Sequence, residues 1–303
     1  MSNEIGRPSE SDSGAAPYNF GGEWKPSQLE IDRRAARKER NRRNAAIAII
    51  SSIFVIGGLA LVAVTSPGWK SLSDTFFAWA YGVEVLPKII LGFGTNVALT
   101  LIASVCVGIF GLSIALIRTS RSPALAPFRI LATVYVDVFR GIPMLLVLLL
   151  VGFGIPALRI KGLTNNVLIL GTLAVVITYT AYVAEVIRSG ILTIHPSQRA
   201  AARSLGLSHF QSLRFVVLPQ AFRRVTPPLL NDLVALIKDT GLVSILGVTD
   251  AVRAAQIASS RSFNYTPYVM AAIIFLLVTI PLTRFTDRTL RRSIERQNAT
   301  GVA

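Results

Sequence analysis

This sequence of 303 residues has little cysteine and little charge. Its single cysteine, Cys106, excludes a disulfide within the chain. Because Cys106 lies inside an apolar run, we expect it to pack as a small hydrophobic residue. Charged residues make up 16% of the chain and hydrophobic residues 52%, which leaves more apolar surface than one soluble core can bury. The chain is therefore predicted to lie in a membrane.

The sequence also lacks the Gly-x-x-x-x-Gly-Lys-Ser/Thr loop, whose backbone amides bind the phosphates of ATP. The chain is therefore not expected to hydrolyse ATP by that route. Its two histidines, His195 and His209, are too isolated to indicate a metal site or a catalytic base. We expect no metal, no cofactor and no enzymatic activity in this chain.

Six apolar segments are long enough, or nearly so, to cross about 30 Å of hydrocarbon. They are residues 45–66, 88–117, 130–156, 166–187, 227–247 and 267–285. The predicted fold class is all-α, a polytopic membrane protein with six transmembrane helices. Residues 1–44 are polar and end in a basic run, which predicts a disordered cytoplasmic tail with at most a short helix. The 45–66 run has no small-residue cleavage pattern and is expected to be a retained span.

Lys and Arg divide unevenly between the two sides of the membrane. With the N-terminus in the cytoplasm, 23 of them lie in cytoplasmic segments and 6 in outer loops. Since basic flanks stay in the cytoplasm, both termini are predicted to be cytoplasmic. Contacts with anionic lipid headgroups then account for the net charge of +15. Nucleic acid is not an expected partner, because the positive charge is dispersed among the loops.

A polar, basic stretch interrupts the apolar pattern at residues 198–220. It predicts a helix, a turn at Gly206, and a second helix that ends before Pro219. Gly206 is expected to end the first helix in the left-handed conformation, and Ser208 to cap the second. On its own, this pattern is equally typical of an amphipathic hairpin that lies on the membrane.

The spacing within this stretch resembles the cytoplasmic loop of importer-type ABC transporter permeases. That loop reads Glu-Ala-Ala, three residues, Gly, nine residues, Ile, one residue, Leu-Pro. Ala200 stands where the pattern has its glutamate, and Arg199 and Arg203 flank it. The positions in register are Ala201, Ala202, Gly206, Val216, Leu218 and Pro219.

Further stretches resemble the polar amino acid branch of these permeases, typified by importers of histidine, glutamine and arginine. They are residues 139–143, 181–188, 218–223, and the pair 227–231 and 236–240. The resemblance covers residues 88–290 and implies a five-helix permease domain with a coupling loop at 191–225. The 45–66 span would then be an extra N-terminal helix, and 291–303 a cytoplasmic C-terminal tail.

The resemblance implies a permease subunit of an ATP-driven importer, in the cytoplasmic membrane, that carries a polar or charged amino acid. Its implied partners are a dimer of ABC ATPase subunits that bind the ATP, a second permease subunit, identical or related, an extracytoplasmic amino-acid-binding protein, and membrane lipids. Two alternatives stay open: a self-sufficient secondary transporter, although no internal repeat is visible, and a membrane-tethered scaffold. The residues implied to couple to the ATPase are Arg199, Ala201, Ala202, Arg203, Leu205, Gly206, Leu218 and Pro219.

Polar residues inside the apolar segments are candidates for the substrate path. A charge facing lipid at a helix centre costs about 2.5 to 3.5 kcal/mol, so Lys238 and Asp239 must face protein or water. At helical spacing Lys238 shares a face with Asn231, and Asp239 shares one with Asp232. These residues either line the path or a gate, or neutralise other charges and hold helices in place.

Two other pairs have helical spacing. Glu185 is expected to pair with Arg188 one turn later. Asp137 and Arg140 precede a Gly-Ile-Pro sequence that breaks a helix, either as an elbow, which we favour, or as an unwound site that contacts the substrate. Asn96 lies near Gly92 and Gly94, and glycines at such positions favour close helix packing. The candidates for the path or gate are therefore Asn96, Asp137, Arg140, Glu185, Asn231, Lys238 and Asp239.

Overall fold

The computed structural model describes residues 28–120 and 122–299. These residues form helices joined by turns and contain no strand, which confirms the all-α class. The chain divides into two compact units, Met1–Trp69 and Lys70–Ala303. The described part of the first unit is dominated by one helix, α1 (Gln28–Thr65), whose apolar side chains are exposed.

Helix α1 starts earlier than expected, so residues 28–44 of the predicted disordered tail are helical. This stretch is rich in Arg, Lys, Glu and Ala, which are strong helix formers, and the apolar run that follows continues the same helix. Residues 1–27, the rest of the predicted tail, lie outside the described residues.

The other α-helices follow in chain order. They are α2 (Trp69–Phe76), α3 (Trp79–Thr119), α4 (Ala126–Gly141), α5 (Met144–Ala157), α6 (Val167–Leu192), α7 (Pro196–Ser204), α8 (His209–Ser212), α9 (Leu218–Asp239), α10 (Ala251–Ser262) and α11 (Thr266–Ala299). A π-helical turn, Leu213–Val217, joins α8 to α9, and a 3-10 helix, Thr240–Leu246, follows α9. Helix α11 runs on through much of the predicted C-terminal tail.

The core of the second unit forms around α3 and α6, which pack along each other. Helices α4, α5 and α9 also pack on α6, while α10 and α11 pack on α3. Fully buried side chains such as Ile89, Leu148 and Ile191 fill the spaces between these helices. Small residues allow the closest approaches: a Cβ atom on Gly190 would lie 2.1 Å from Cγ1 of Val225.

The predicted span at 130–156 is not one straight helix. Helices α4 and α5 meet at an angle of 108° at a break next to Pro143. Proline has no N–H for the helix, and it also forces the residue before it into an extended conformation. Ile142 has φ −95° and ψ 131°, as this rule predicts. The helix break predicted from the Gly-Ile-Pro sequence is present, and its role as an elbow or as a site that contacts the substrate stays a prediction.

Fewer helices than expected have the length and composition of a membrane span. Among the described residues, four stretches qualify, or up to five if the bent pair α4 and α5 counts as one span. The predicted 227–247 span is not among them, because α9 carries five charged residues along its length: Arg223, Arg224, Asp232, Lys238 and Asp239. The predicted count of six spans, and the predicted orientation, stay predictions. The qualifying stretches are Ile31–Thr65, Trp69–Thr119, Val167–Leu192 and Thr266–Arg291.

Candidate functional site

Helices α7 and α8 form a hairpin with the turn predicted from the sequence; we call residues 195–217 the hairpin. Gly206 lies at the turn with φ +80°, a backbone conformation that favours glycine. Ser208 caps α8 through a reciprocal pair of hydrogen bonds with Gln211: the Gln211 amide donates to Ser208 Oγ at 3.3 Å, and the Ser208 amide donates to Gln211 Oε1 at 2.8 Å. Both roles were expected.

The second arm of the hairpin does not end before Pro219. It passes through the π-helical turn directly into α9, with the Leu218 amide donating to the Leu213 carbonyl oxygen. Pro219 is the second residue of α9 and has no N–H to donate, and the π-helical turn before it already departs from the regular α-helical hydrogen-bond pattern. The hairpin is therefore joined to the charged helix α9 without a loop between them.

Two arginines attach the hairpin and α9 to the end of α6. Arg199 donates to the Ile191 carbonyl oxygen at 2.8 Å, and Arg224 donates to the Thr193 carbonyl oxygen at 2.9 Å. Carbonyl groups at a helix C-terminus lack partners within the helix and carry partial negative charge, so they attract guanidinium groups. Arg199 was expected to face a partner, but the structure turns it inward against α6.

The remaining residues implied to couple to the ATPase divide between the inner and outer sides of the hairpin. Ala202 is buried, and Leu218 is partly buried against the core. Leu205 lies beside the turn and is 83% exposed, and Phe210 is 65% exposed. The sequence interpretation missed Phe215, which is also exposed and lies beneath the guanidinium of Arg214. On the outer side, the other implied residues that are exposed are Ala201, Arg203, Gly206 and Pro219.

Helix α9 has the two polar faces expected from its sequence spacing. Asn231 and Lys238 are exposed, whereas Asp232 and Asp239 are partly buried. Asp239 Oδ2 accepts a hydrogen bond of 2.7 Å from Tyr179 Oη on α6. Asp232 Oδ2 is buried and has no hydrogen-bond partner within the described part of the chain.

Lys238 borders a groove of about 610 Å³, formed by the end of α9, the 3-10 helix, α10 and α11. Arg253 on α10 is the second cation of the groove, and its guanidinium donates to Gln256 Oε1 at 2.7 Å. The volume is within the usual range for small-molecule sites, about 300 to 1,000 Å³. The remaining lining residues are Leu145, Gly241, Leu242, Ser244, Ile245, Val252, Tyr268 and Phe275.

Asn96 does not line this groove; it is fully buried between α3, the 3-10 helix and the start of α10. Its Nδ2 donates to Asp250 Oδ2 at 3.0 Å and to Thr240 Oγ1 at 3.3 Å. Its Oδ1 accepts from the amide of Ala251 at 3.1 Å. Asp250 in turn caps α10 by accepting from the Arg253 amide. The Asn96 side chain thus joins three elements and has no exposed surface in this conformation.

Glu185 forms the expected pair with Arg188 and a second pair that the sequence spacing did not reveal. Both distances are 2.6 Å, one to Arg188 Nη2 and one to Arg118 Nη1 at the end of α3. Arg118 is only 8% exposed, so this interaction is shielded from solvent. Asp137 and Arg140 are exposed on α4.

Comparison with known proteins identifies the family. Residues 124–294 match the family described as binding-protein-dependent transport system inner membrane component. The chain belongs to this family. The match covers more than half of this permease, from the start of α4 into α11, and includes the hairpin. It confirms the family predicted from the sequence.

Relatives of this permease point to amino acid ABC transporters. The arginine transport system permease protein ArtQ of Bacillus subtilis (strain 168) is 30% identical over 70% of this chain and 95% of its own. The crystal structure of an amino acid ABC transporter with histidines is 34% identical, with a TM-score of 0.62 over 69% of this chain and 96% of its own. The MetNI methionine ABC transporter, in an inward-facing form, shares the fold, with a TM-score of 0.57 at 20% identity.

Several residues of the permease site were missed by the sequence interpretation. Thr240 and Asp250 reach Asn96 across sequence separations of 144 and 154 residues, and Arg253 lines the groove together with Lys238. Asp250 had a detectable signal, because an Asp immediately before an Ala-rich helix is typical of an N-cap. Tyr179 and Arg118 had no such signal, since their partners lie on other helices.

Proposed function

We propose that this permease subunit forms the translocation path of an ATP-driven importer for a polar or charged amino acid. The observation that carries the proposal is the groove with two cations, Lys238 and Arg253, at the end of α9. Every amino acid has a carboxylate, and a carboxylate is bound best by charge-assisted hydrogen bonds from such cations. The similarity to an arginine permease and to an amino acid ABC transporter supports the same substrate class.

The proposal assigns different roles to the neighbouring residues Lys238 and Asp239. Asp239 is held to α6 by the hydroxyl of Tyr179, so its role is to fix α9 against α6. Lys238 is exposed at the groove and contacts the substrate carboxylate. Asn231, on the same face of α9, lies further along the path.

The hairpin is the proposed contact with a separate ATPase subunit in the cytoplasm. Leu205 and Phe210 are exposed on one short hairpin, and aromatic side chains are enriched in protein interfaces. Since the π-helical turn joins the hairpin to α9, a displacement of the hairpin moves the helix that carries Lys238. The ATPase binds the ATP, and this chain is not itself the enzyme.

The complete transporter is proposed to contain further subunits in the cytoplasmic membrane and outside it. A dimer of ATPase subunits binds two hairpins, so a second permease subunit, identical or related, completes the path. An extracytoplasmic amino-acid-binding protein delivers the substrate. These partners follow from the family to which the chain belongs.

The substrate proposal is tested by uptake of labelled amino acids into proteoliposomes that contain the complete transporter. Lys238→Met is expected to raise the apparent KM for the carried amino acid at least about tenfold, because a charge-assisted hydrogen bond to its carboxylate is lost. Lys238→Arg retains the charge and is expected to recover most of the affinity. The control, Lys161→Met, changes an exposed lysine outside the groove and leaves KM unchanged.

An unchanged KM in Lys238→Met would remove Lys238 from the path. The same vesicles test the energy source, because uptake must require both the ATPase subunits and ATP. Uptake by this chain alone, without ATP, would instead indicate a self-sufficient secondary transporter.

The coupling proposal is tested by Leu205→Ser. Removal of this exposed leucine leaves the fold intact, and it is expected to lower stimulation of the ATPase several-fold, since buried apolar anchors dominate the energetics of interfaces. Leu158→Ser, at an exposed leucine outside the hairpin, is the matched control. Equal ATPase stimulation in the two variants would contradict the assignment of the hairpin.

A further inference from the structure

A second cavity, on the side of the molecule that carries the hairpin, is lined by three arginines. It measures about 330 Å³ and lies among the ends of α3 and α6 and the middle of α4; we call it the arginine cavity. The proposed transport function does not use it. Its lining residues are Arg118, Arg129, Ile130, Thr133, Val134 and Arg188.

The charges around the arginine cavity do not balance. Glu185 is shared by Arg118 and Arg188, and Asp137 on α4 acts electrostatically on Arg188. Arg129 has a neutral partner, the Ser120 carbonyl oxygen, at 2.8 Å. Three guanidinium groups therefore face two carboxylates. The cavity thus keeps a net positive charge, which attracts an anion.

The polar contacts also fix the guanidinium groups in place before any ligand binds. The Arg118 Nε donates to Thr133 Oγ1 at 3.4 Å, while its Nη1 bonds to Glu185. Arg188 bonds to both oxygens of Glu185, at 2.9 and 2.6 Å. Planar guanidinium groups held in this way match phosphate oxygens well, and little side-chain entropy is lost on binding.

The residues around the arginine cavity suit a lipid, because exposed apolar side chains lie next to the arginines. Ile130 and Val134 line it and are exposed, and they continue into further exposed apolar residues of α4, Leu131 and Val138. Helices α3 and α6 are long and apolar enough to cross the membrane, and Arg118 lies in the last turn of α3, while Arg188 lies just before the last turn of α6. A phosphate in the cavity therefore has an apolar surface beside it, at the depth where headgroup and acyl chain meet.

We propose that the arginine cavity binds the phosphodiester of an anionic phospholipid, with an acyl chain lying along the exposed apolar face of α4. Free phosphate has the same oxygens but gains nothing from that face. A zwitterionic lipid brings a cation into a cavity that already has excess positive charge. An anionic phospholipid is thus the expected class of ligand, with phosphatidylglycerol as its probe, and the bound lipid joins α4 to the ends of α3 and α6.

The test is a lipid titration of the purified full-length chain, followed by native mass spectrometry. The probes are phosphatidylglycerol, phosphatidylcholine and inorganic phosphate. Wild-type protein is expected to bind phosphatidylglycerol most tightly, and Arg129→Gln to bind it about tenfold more weakly, because one charge-assisted contact is lost. Arg129→Lys is expected to stay close to wild type. Arg284→Gln, at an exposed arginine of α11, is the matched control.

A second variant does not depend on the Arg129 contact. Ile130→Asp adds a carboxylate at the exposed edge of the cavity and is expected to weaken phosphatidylglycerol binding to a similar extent. Thermal unfolding of each variant shows whether the fold is retained. Equal affinity for phosphatidylglycerol in Arg129→Gln and Arg284→Gln would overturn the site. Phosphate or phosphatidylcholine binding as tight as phosphatidylglycerol binding would overturn its assignment to an anionic lipid.

Discussion

The side chain of Asn96 and its partners Thr240, Asp250 and Ala251 form what we call the Asn96 cluster. This cluster buries polar groups where apolar ones are usual, whereas the hairpin exposes apolar groups where polar ones are usual. Asn96 is 0% exposed, and its amide is bonded to Thr240, Asp250 and the Ala251 amide. Leu205 and Phe210 are mostly exposed. The first region satisfies its polar groups within one chain, and the second leaves its apolar groups exposed for the proposed contact with the ATPase.

This difference separates stability from coupling. A buried hydrogen-bonded group contributes to stability because its partners are costly to leave unsatisfied. An exposed leucine contributes little to the fold, so it is free to serve an interface. Substitutions near Asn96 are therefore expected to change stability, and substitutions on the outer side of the hairpin are expected to change coupling.

The largest expected effect is at Gly92, one turn before Asn96. A Cβ atom there would lie 2.5 Å from the backbone carbon and oxygen of Asp250, which cannot move without displacing α10. Gly92→Ala is expected to lower the free energy of unfolding by about 3 kcal/mol, a cost typical of overpacking. Thermal unfolding in detergent measures it.

Gly94→Ala is the control for this prediction. A Cβ atom at Gly94 has no neighbour within 4 Å, so the substitution is expected to be neutral or to stabilise α3 by up to about 1 kcal/mol. Similar destabilisation by both variants would show that α3 and α10 do not approach as closely as described.

A smaller effect is expected for Asn96→Leu. The substitution removes an amide that serves three partners and leaves the Asp250 carboxylate with fewer hydrogen bonds, at a cost of about 2 kcal/mol. Asn231→Leu, at an exposed position of α9, should leave the unfolding transition in place. If both variants unfold at the wild-type temperature, the hydrogen bonds of Asn96 do not stabilise the fold as we expect.

The smallest effect is expected in the hairpin. Ser208→Ala removes the cap of α8 at a local cost of about 1 kcal/mol. Hydrogen exchange of residues 208–217 is therefore expected to quicken, while global unfolding changes little. Ser204→Ala, whose hydroxyl bonds within its own helix, is the control. A fall in global stability equal to that of Asn96→Leu would remove the contrast between the two regions.

Much of the fold followed from local patterns in the sequence. The helices α3, α6 and α11 were predicted from apolar runs, and Gly206 and Ser208 were placed correctly because turn and cap preferences depend on neighbouring residues. The same local reasoning allowed at most a short helix before residue 45, whereas the helix begins at Gln28, because residues 28–44 are rich in strong helix formers. It also predicted the helix break at Pro143, which divides the apolar segment 130–156 into α4 and α5.

Less of the candidate site than of the fold could be predicted from the sequence. The spacing of Asn231, Asp232, Lys238 and Asp239 correctly divided α9 into two faces, since helical periodicity alone decides this. It did not decide which face meets Tyr179 and which borders the groove. Arg199 shows the same limit, because its position in the loop suggested a partner, while its side chain reaches the end of α6.

The sequence by itself determined the helical class, the membrane environment, the family and the turn of the hairpin, since each depends on composition or on residues close together in the chain. Only the tertiary structure decided which polar residues are partners. Asn96 meets Asp250, and Arg118 meets Glu185, across separations of 154 and 67 residues. Such pairs form because burial makes an unpaired polar group costly, and helix packing decides which partner is within reach.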